Sequence, residues 1–238
     1  MNRYTPAWPH SNIEEIFPNI FFVTGTNKTS HNGINLQFSR NMIIVRNKDE
    51  LTLINTVRLQ NSGLRLLESL GKVVNIIRIG AFHGRDDAFY LDSYNAKLWA
   101  LPNMFHENGK ITDIELVENG VKPFPNCSLF KFDLDTQIEG ILHIAQEGGI
   151  LISCDSLQNW TKIDQYFSVE SGKYFLEHGL IKSANISYIW KQACNPKIND
   201  FVRLKSLSFC HLLSAHGEPL ISEAYKKLVE TFRQQFGI

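Results

Sequence analysis

Several features that define whole classes of protein are missing from this 238-residue sequence. It contains no run of about eighteen apolar residues, the length that a membrane-spanning helix needs. Its N-terminal stretch, MNRYTPAWPHSN, includes no apolar core of signal-peptide length. Lys and Arg together number 24, as do Asp and Glu, and no block of like charges occurs. Neither a nucleic-acid partner nor binding to a membrane surface is therefore expected.

Cysteine is scarce and shows no pairing pattern. The four cysteines (Cys127, Cys154, Cys194 and Cys210) are far apart and form no CxxC motif. A chain of this length can bury a large core, so its folding requires no disulfide or structural metal. We therefore expect free thiols, a reducing environment and a cytoplasmic location.

Three common catalytic motifs are also absent. The sequence has no GxSxG nucleophile elbow, no P-loop glycine pattern and no GxGxxG dinucleotide fingerprint. With 43% hydrophobic and 20% charged residues, the composition is that of an ordinary globular domain. We expect one domain over residues 1–238, with residues 1–19 as an irregular lead-in and a small-molecule substrate or ligand as the partner.

Apolar runs of strand length dominate the first half of the chain. Residues 41–46 (NMIIVR) and 51–56 (LTLINT) predict a β-hairpin. Residues 20–25 predict a short strand, followed by a turn or exposed loop over residues 26–33. Residues 64–70 (LRLLESL) have apolar side chains at helical spacing, which predicts a helix.

The second half begins with strands and ends with helices. Residues 127–134 alternate as a strand does, and residues 141–155 predict a hairpin whose second strand ends in Asp155. Residues 157–167 favour a helix. Residues 221–236 place their apolar side chains on one face, which is typical of an amphipathic helix.

A compact polar cluster follows the buried strand predicted over residues 73–80. Within five residues the sequence places His83, Arg85, Asp86 and Asp87. The end of a buried strand holds side chains rigidly at the rim of a sheet, so this cluster is a candidate site. It is equally consistent with a polar turn, in which Asp86 and Asp87 cap the following helix.

The order of these elements, together with the residues at their turns, resembles the metallo-β-lactamase superfamily from Ile20 to the C-terminus. The resemblance implies an α/β fold of four layers, an αββα sandwich. In the family's metal motif, His-x-His-x-Asp-His, His83 matches the first histidine and Asp87 matches the aspartate. Arg85 and Ala88 stand where the motif has its other histidines, so the motif is degenerate.

Two later segments extend the resemblance. GGILISCDSL is similar to the family's strand that ends in a metal-bridging aspartate, here Asp155, and LLSAHGEPL is similar to its late His-Gly turn, here His216. His143 is the histidine nearest to the position of a further family ligand. The resemblance thus implies that His83, Asp87, Asp155 and His216 are metal ligands, with His83 and Asp87 as the catalytic residues.

Arg85 cannot coordinate a metal, because a guanidinium stays protonated and has no acceptor atom. We expect Arg85 to replace one ion electrostatically by pairing with Asp86 or Asp155. The remaining ligands would hold one divalent metal (Zn, Fe or Mn) or none.

Each candidate ligand also has an ordinary structural interpretation. His83 could bond a backbone carbonyl at the end of its strand, and Asp155 could cap a helix over residues 157–167. His216 could lie in a simple turn, and His143 fits a core or surface position in a strand.

Two functions therefore remain open. The first is a hydrolase-like protein with a reduced, at most single-metal site, acting on a small ester, amide, thioester or phosphoester. The second is a catalytically inactive binding or scaffold protein. The missing histidines favour the second, and the four possible ligands on separate turns favour the first.

Overall fold

The computed structural model describes residues 4–31 and 33–238, so residues 1–3 of the predicted lead-in lie outside the described residues. Within this part of the chain, seven strands form one sheet in sequence order: β1 (Glu14–Phe17), β2 (Ile20–His31), β3 (Ile34–Asn47), β4 (Glu50–Ile54), β5 (Lys72–Arg78), β6 (Lys97–Ala100) and β7 (Ile114–Glu115). Four more form a second sheet in the order β11-β10-β9-β8: β8 (Cys127–Lys131), β9 (Gly140–Ile144), β10 (Ile150–Ser153) and β11 (His211–Ser214).

The described residues also form six helices: α1 (Asn61–Leu70), α2 (Asp87–Tyr94), α3 (Val169–Glu177), α4 (Tyr188–Cys194), α5 (Ile198–Lys205) and α6 (Ala224–Phe236). In the part of the chain that the structure covers, none of these helices is long and apolar enough to cross a membrane.

The two sheets face each other across one apolar layer. Ile43 and Ile77 from the first sheet belong to the same buried cluster as Leu142 and Ile152 from the second. A second cluster packs α1 and α2 on the outer face of the first sheet, and a third packs α4, α5 and α6 on the outer face of the second. Strands covered on both faces need apolar residues on both, which explains their nearly continuous apolar runs. The predicted four-layer αββα sandwich is confirmed.

The predicted loop over residues 26–33 is wrong, because β2 continues to His31 and pairs with β3 along its whole length. Thr26 lies opposite Ser39 and Thr29 lies opposite Leu36 in this antiparallel ladder. Backbone groups supply the hydrogen bonds of a hairpin, so polar side chains can extend it beyond the apolar core.

Two further predictions of local structure are wrong. The lead-in contains β1, which pairs with β2 at the edge of the first sheet. Residues 157–167 form no helix, since Gln158 and Asn159 make isolated bridges to Asn185 and Gly217. Asp155 therefore caps no helix there.

The register of two parallel strands brings two of the candidate ligands together. β10 and β11 are parallel, and Ser153 lies opposite Ser214. Asp155 and His216 each lie two residues beyond this pair, so they emerge side by side where the strands end. Near the same end, an isolated bridge between Gly80 and Glu139 connects the chain after β5 to the start of β9.

Candidate metal centre

Three of the predicted site residues, His83, Asp155 and His216, lie in direct contact and are called the His/Asp triad below. The Nε2 atoms of His83 and His216 are 3.1 Å apart. Asp155 Oδ1 lies 3.1 Å from His216 Nε2, and Asp155 Oδ2 lies 3.4 Å from His83 Nε2. Both histidines are buried, so three potential ligand side chains converge in a largely desolvated place.

Close packing of two glycines fixes the chain around this triad. Gly217 has a φ of +87°, and a Cβ at this position would lie 2.0 Å from Asn159 O. Asn159 N in turn donates to His216 O at 3.0 Å. Gly80 plays a similar part near His83, because a Cβ there would lie 2.4 Å from Cys154 Sγ. The turns that carry the two histidines thus tolerate only glycine at these close approaches.

The spacing of the triad fits a metal ion. Ligand atoms of a tetrahedral site with bonds of about 2.0–2.1 Å lie roughly 3.3 Å apart. The two imidazole nitrogens are 3.1 Å apart, and those of His216 and His83 lie 3.1 and 3.4 Å from Oδ1 and Oδ2 of Asp155, respectively. Two imidazole nitrogens and one carboxylate also form the donor set of several catalytic zinc and non-haem iron sites.

The Nδ1 atoms of His83 and His216 have no hydrogen-bond partner among the described residues. In most metal-binding histidines the other ring nitrogen donates its N–H to a carboxylate, a carbonyl or water, which fixes the ring. His216 is instead held by aromatic packing, because Trp160 stacks against it at 5.6 Å between centroids and Phe38 lies 5.9 Å away. The packing leaves Nε2 as the nitrogen directed at Asp155.

The charge states of His83 and Asp155 suit metal binding. Burial lowers the pKa of His83. This effect is larger than that of the nearby Asp155 carboxylate, which favours the protonated imidazole and raises the pKa. Burial opposes ionisation of Asp155, yet the neighbouring His83 and His216 hold the pKa of its carboxyl well below its usual range. A neutral imidazole and an ionised carboxylate are the forms that bind metal ions.

Cys154 lies next to the triad but is not a nucleophile. Its Sγ is within 4.8 Å of the ligand atoms of His83 and Asp155 and donates to Asp155 Oδ2 at 3.3 Å. Burial, followed by the nearby Asp155, raises the pKa of the thiol well above its ordinary value. The protonated thiol is the form expected at neutral pH.

Asp87, the fourth predicted ligand, is not brought into this group. Its Oδ1 accepts a hydrogen bond from Thr56 Oγ1 at 2.6 Å, and its Oδ2 has no partner among the described residues. Burial raises the pKa of its carboxyl. Asp87 is also absent from the described group of His83, Cys154 and Asp155, whose ligand atoms lie within 4.8 Å of one another.

The predicted pairing of Arg85 with Asp86 or Asp155 is wrong. In the part of the chain that is described, Arg85 Nη1 donates to Asn27 Oδ1 at 3.0 Å and to the backbone oxygen of Lys28 at 2.5 Å. The cation that bonds Asp86 is Arg40, whose Nη2 lies 2.9 Å from Asp86 Oδ2.

Arg40 and Glu139 are buried charged residues near the site that the sequence patterns do not reveal. Arg40 lies within β3 without any motif around it. Glu139 accepts hydrogen bonds from Ser156 N at 2.7 Å and Trp190 Nε1 at 2.8 Å. Burial, reinforced by Asp155, raises the pKa of Glu139. The sequence feature that could have revealed Glu139 is its position as a carboxylate directly before the apolar run of β9.

His143 lies outside the site. It is on β9, and its Nε2 contacts the backbone oxygen of Ser208 at 2.9 Å. His143 therefore occupies an ordinary position in a strand, with a backbone oxygen as its hydrogen-bond partner.

The triad forms part of the wall of a cavity of about 380 Å³, called the site cavity below. Much of the remaining wall is aromatic and aliphatic, formed by Leu36, Phe38, Trp160, Tyr174, Phe175, Leu180 and Ile189. Its polar lining includes Arg40 and Arg85. Pockets of this size and composition bind small molecules in many proteins.

Comparison with known proteins identifies the fold. No family model matches the sequence, and no curated protein matches it. Solved structures do match. The metallo-β-lactamase DIM-1, in crystals exposed to ceftazidime, has a TM-score of 0.60 and 14% identity, over 95% of this chain and 98% of that one.

Two further structures agree. The metallo-β-lactamase FIM-1 from Pseudomonas aeruginosa, in its mono-zinc form, has a TM-score of 0.61 and 12% identity over 96% of this chain and 97% of that one. A metallo-β-lactamase from Erythrobacter litoralis has a TM-score of 0.58 and 11% identity over 93% and 92%. At such identities the likeness concerns the fold alone. The chain therefore has the metallo-β-lactamase fold.

Proposed function

We propose that this protein is a metal-dependent hydrolase-like protein whose His/Asp triad holds a single divalent ion of the zinc, iron or manganese type. Its substrate would be a small ester, amide, thioester or phosphoester. The observation that carries the proposal is the convergence of His83, Asp155 and His216, with separations of 3.1–3.4 Å, on the wall of the site cavity. Three protein ligands beside an open cavity are the arrangement of a catalytic rather than a structural site.

Each member of the triad has a part in this proposal. His83 and His216 would bind through Nε2, and Asp155 would supply the negative charge. An ion bound there lowers the pKa of water toward about 7 and so supplies a nucleophile at neutral pH. The aromatic wall would exclude bulk water, which strengthens electrostatic interactions with a substrate.

Metal analysis tests the proposal directly. Protein purified without added metal or chelator should contain about one equivalent of a transition metal, because three ligands suffice for a catalytic site. The variants Asp155→Asn and His216→Gln should lose it while keeping the wild-type circular dichroism spectrum. His143→Gln, which alters a histidine outside the site, is the matched control and should retain the metal.

The proposal fails if the wild type contains no metal and gains none on dialysis against zinc, iron(II) or manganese(II). It also fails if Asp155→Asn retains the full equivalent. A test for hydrolysis of p-nitrophenyl acetate and bis-p-nitrophenyl phosphate by the metal-loaded protein then separates ester from phosphoester chemistry.

The second candidate is a catalytically inactive binding protein of the same fold. Arg85 and Ala88 replace two histidines of the motif, and Asp87 is engaged by Thr56. This alternative predicts a metal-free protein whose melting temperature does not change with EDTA. The site cavity would then bind its ligand without converting it.

A further inference from the structure

Arg40 is a buried cation with unused hydrogen-bonding capacity. Its side chain is 5% exposed, and Nη2 donates to Asp86 Oδ2 and to the backbone oxygen of Thr56. Its Nε has no partner among the described residues. A buried donor without an acceptor is costly, so an unpaired Nε–H on the lining of a cavity indicates a missing acceptor. Arg40 is part of that lining.

Arg85 adds a second guanidinium to the same lining. Its hydrogen bonds in the described part of the chain go to neutral acceptors, Asn27 Oδ1 and the backbone oxygen of Lys28. No described carboxylate lies within ion-pair distance of it. Its charge is therefore not neutralised by direct contact.

The acidic side chain among the described residues that line the site cavity is Asp155, and both of its oxygens face histidines. Asp86 neutralises Arg40, but it does so from outside the cavity lining. The lining thus has two guanidinium groups and one carboxylate that is already engaged. The charge of Arg85 is not balanced by an ion pair, so this part of the lining favours an anionic group.

We propose that Arg40 and Arg85 form an anion-binding site for a carboxylate or phosphate group of the ligand. Guanidinium groups bind both of these anions through charge-assisted hydrogen bonds. The apolar part of the ligand would pack on the wall that contains Phe38, Tyr174 and Phe175. The ligand is then an anion with an apolar or aromatic body. That this ligand is also a substrate rests on the proposed function, but the anion site does not.

The test uses two probes, inorganic phosphate and phenylacetate, titrated calorimetrically into EDTA-treated full-length protein. Removal of metal ensures that any binding comes from the arginines. Arg85→Gln should weaken binding of the preferred probe about tenfold, as expected for loss of one charge-assisted contact. Arg85 is only half-buried and has no ion pair in the described chain, so this variant should fold normally.

Arg40→Lys is the second variant, because lysine keeps the charge beside Asp86 but loses the Nε–H donor. It should also weaken binding about tenfold. Arg46→Gln is the matched control, since Arg46 lies on the same strand but does not line the site cavity, and it should bind like the wild type. Tighter binding of phosphate would indicate a phosphorylated ligand, and tighter binding of phenylacetate a carboxylate.

The inference is overturned if neither probe binds the metal-free protein saturably below about 10 mM. Unchanged affinity in both Arg85→Gln and Arg40→Lys would also overturn it. Because the titrations are done without metal, a failure here leaves the metal analysis untouched, and the reverse also holds.

Discussion

Two carboxylate regions next to the site cavity, one at the end of β10 and one before α2, give the same chemical group different surroundings. Asp155 faces two imidazoles and lines the cavity. Asp86 faces the Arg40 guanidinium, the backbone N–H of Arg58 and the Thr5 hydroxyl.

The difference shows what decides the role of a buried carboxylate. Imidazoles can bind a metal ion together with Asp155, because they act as metal ligands as well as hydrogen-bond donors. A guanidinium and an amide are donors only, so the Asp86 region is complete without an ion. The Asp155 region therefore has possible metal ligands on both sides of its carboxylate, and the Asp86 region connects β3 and the segment after β4 to the start of α2.

The largest expected effect comes from disrupting the Asp86 region. Asp86→Ala would leave the Arg40 charge buried without its partner, at 5% side-chain exposure. Removal of one partner from a buried pair costs about 3–5 kcal/mol, so the free energy of unfolding should fall by that amount. Urea denaturation of metal-free protein measures it.

The control for this variant is Asp133→Ala, which removes an exposed ion pair with Lys197. Exposed pairs contribute little, and the control should unfold at nearly the wild-type urea concentration. Equal stability of Asp86→Ala and the wild type would mean that Arg40 finds another acceptor and that the two regions are not as different as their contacts indicate.

A smaller effect is expected from the turn that presents His216. Gly217→Ala combines an unfavourable φ of +87° with a Cβ only 2.0 Å from Asn159 O. Gly179→Ala is the matched control, because Gly179 has a φ of +63° and nothing within 4 Å of the added Cβ. The control should cost about 1 kcal/mol from backbone conformation alone, and Gly217→Ala about 3 kcal/mol.

The same pair of variants separates function from stability. Gly217→Ala should lose bound metal because His216 is displaced, whereas Gly179→Ala should retain it. Retention of metal by both variants would show that His216 is not needed for the site.

The degree to which the site could be predicted depended on how local its signals were. Asp155 and His216 follow strands with distinctive sequences, and the register of β10 and β11 brings them together. Arg40 was missed because its partner Asp86 lies 46 residues away and no motif surrounds Arg40 itself. The same absence of local signal led to the wrong partner for Arg85.

The fold likewise contains elements with a clear local sequence pattern and elements without one. Buried strands covered on both faces have apolar runs that period and length reveal, so several strands could be predicted from the sequence pattern. The four layers were predicted from the resemblance to the metallo-β-lactamase superfamily. The polar half of the β2–β3 hairpin has no such pattern, because its pairing depends on backbone hydrogen bonds and on the strand opposite. The helix predicted over residues 157–167 was wrong for a related reason. Apolar side chains there have helical spacing, but bridges from Gln158 and Asn159 to distant segments determine the conformation.

The smallest expected effect concerns the pH dependence of the triad region. Because the folded-state pKa of His83 is lowered, the unfolded chain binds more protons below about pH 6.5, and stability must decrease as the pH falls from there. Lowering of the Asp155 pKa acts in the same direction, with its contribution present above about pH 3.9 and lost as the pH falls further. The His83→Gln variant should remove the contribution of His83 to this pH dependence. Between pH 7 and pH 5, the wild type should lose stability more steeply than His83→Gln, by no more than about 1.4 kcal/mol per pH unit.

Urea denaturation of EDTA-treated protein at several pH values measures this difference, and His143→Gln, altered outside the site, should keep the wild-type slope. Identical slopes for the wild type and His83→Gln would mean that His83 titrates normally and is more open to solvent than its contacts imply. A wild type that becomes more stable on acidification would instead mean that Asp155 binds a protonated imidazole. The triad would then be an ion pair, and the case for a metal at this end of the sandwich would lose its electrostatic basis.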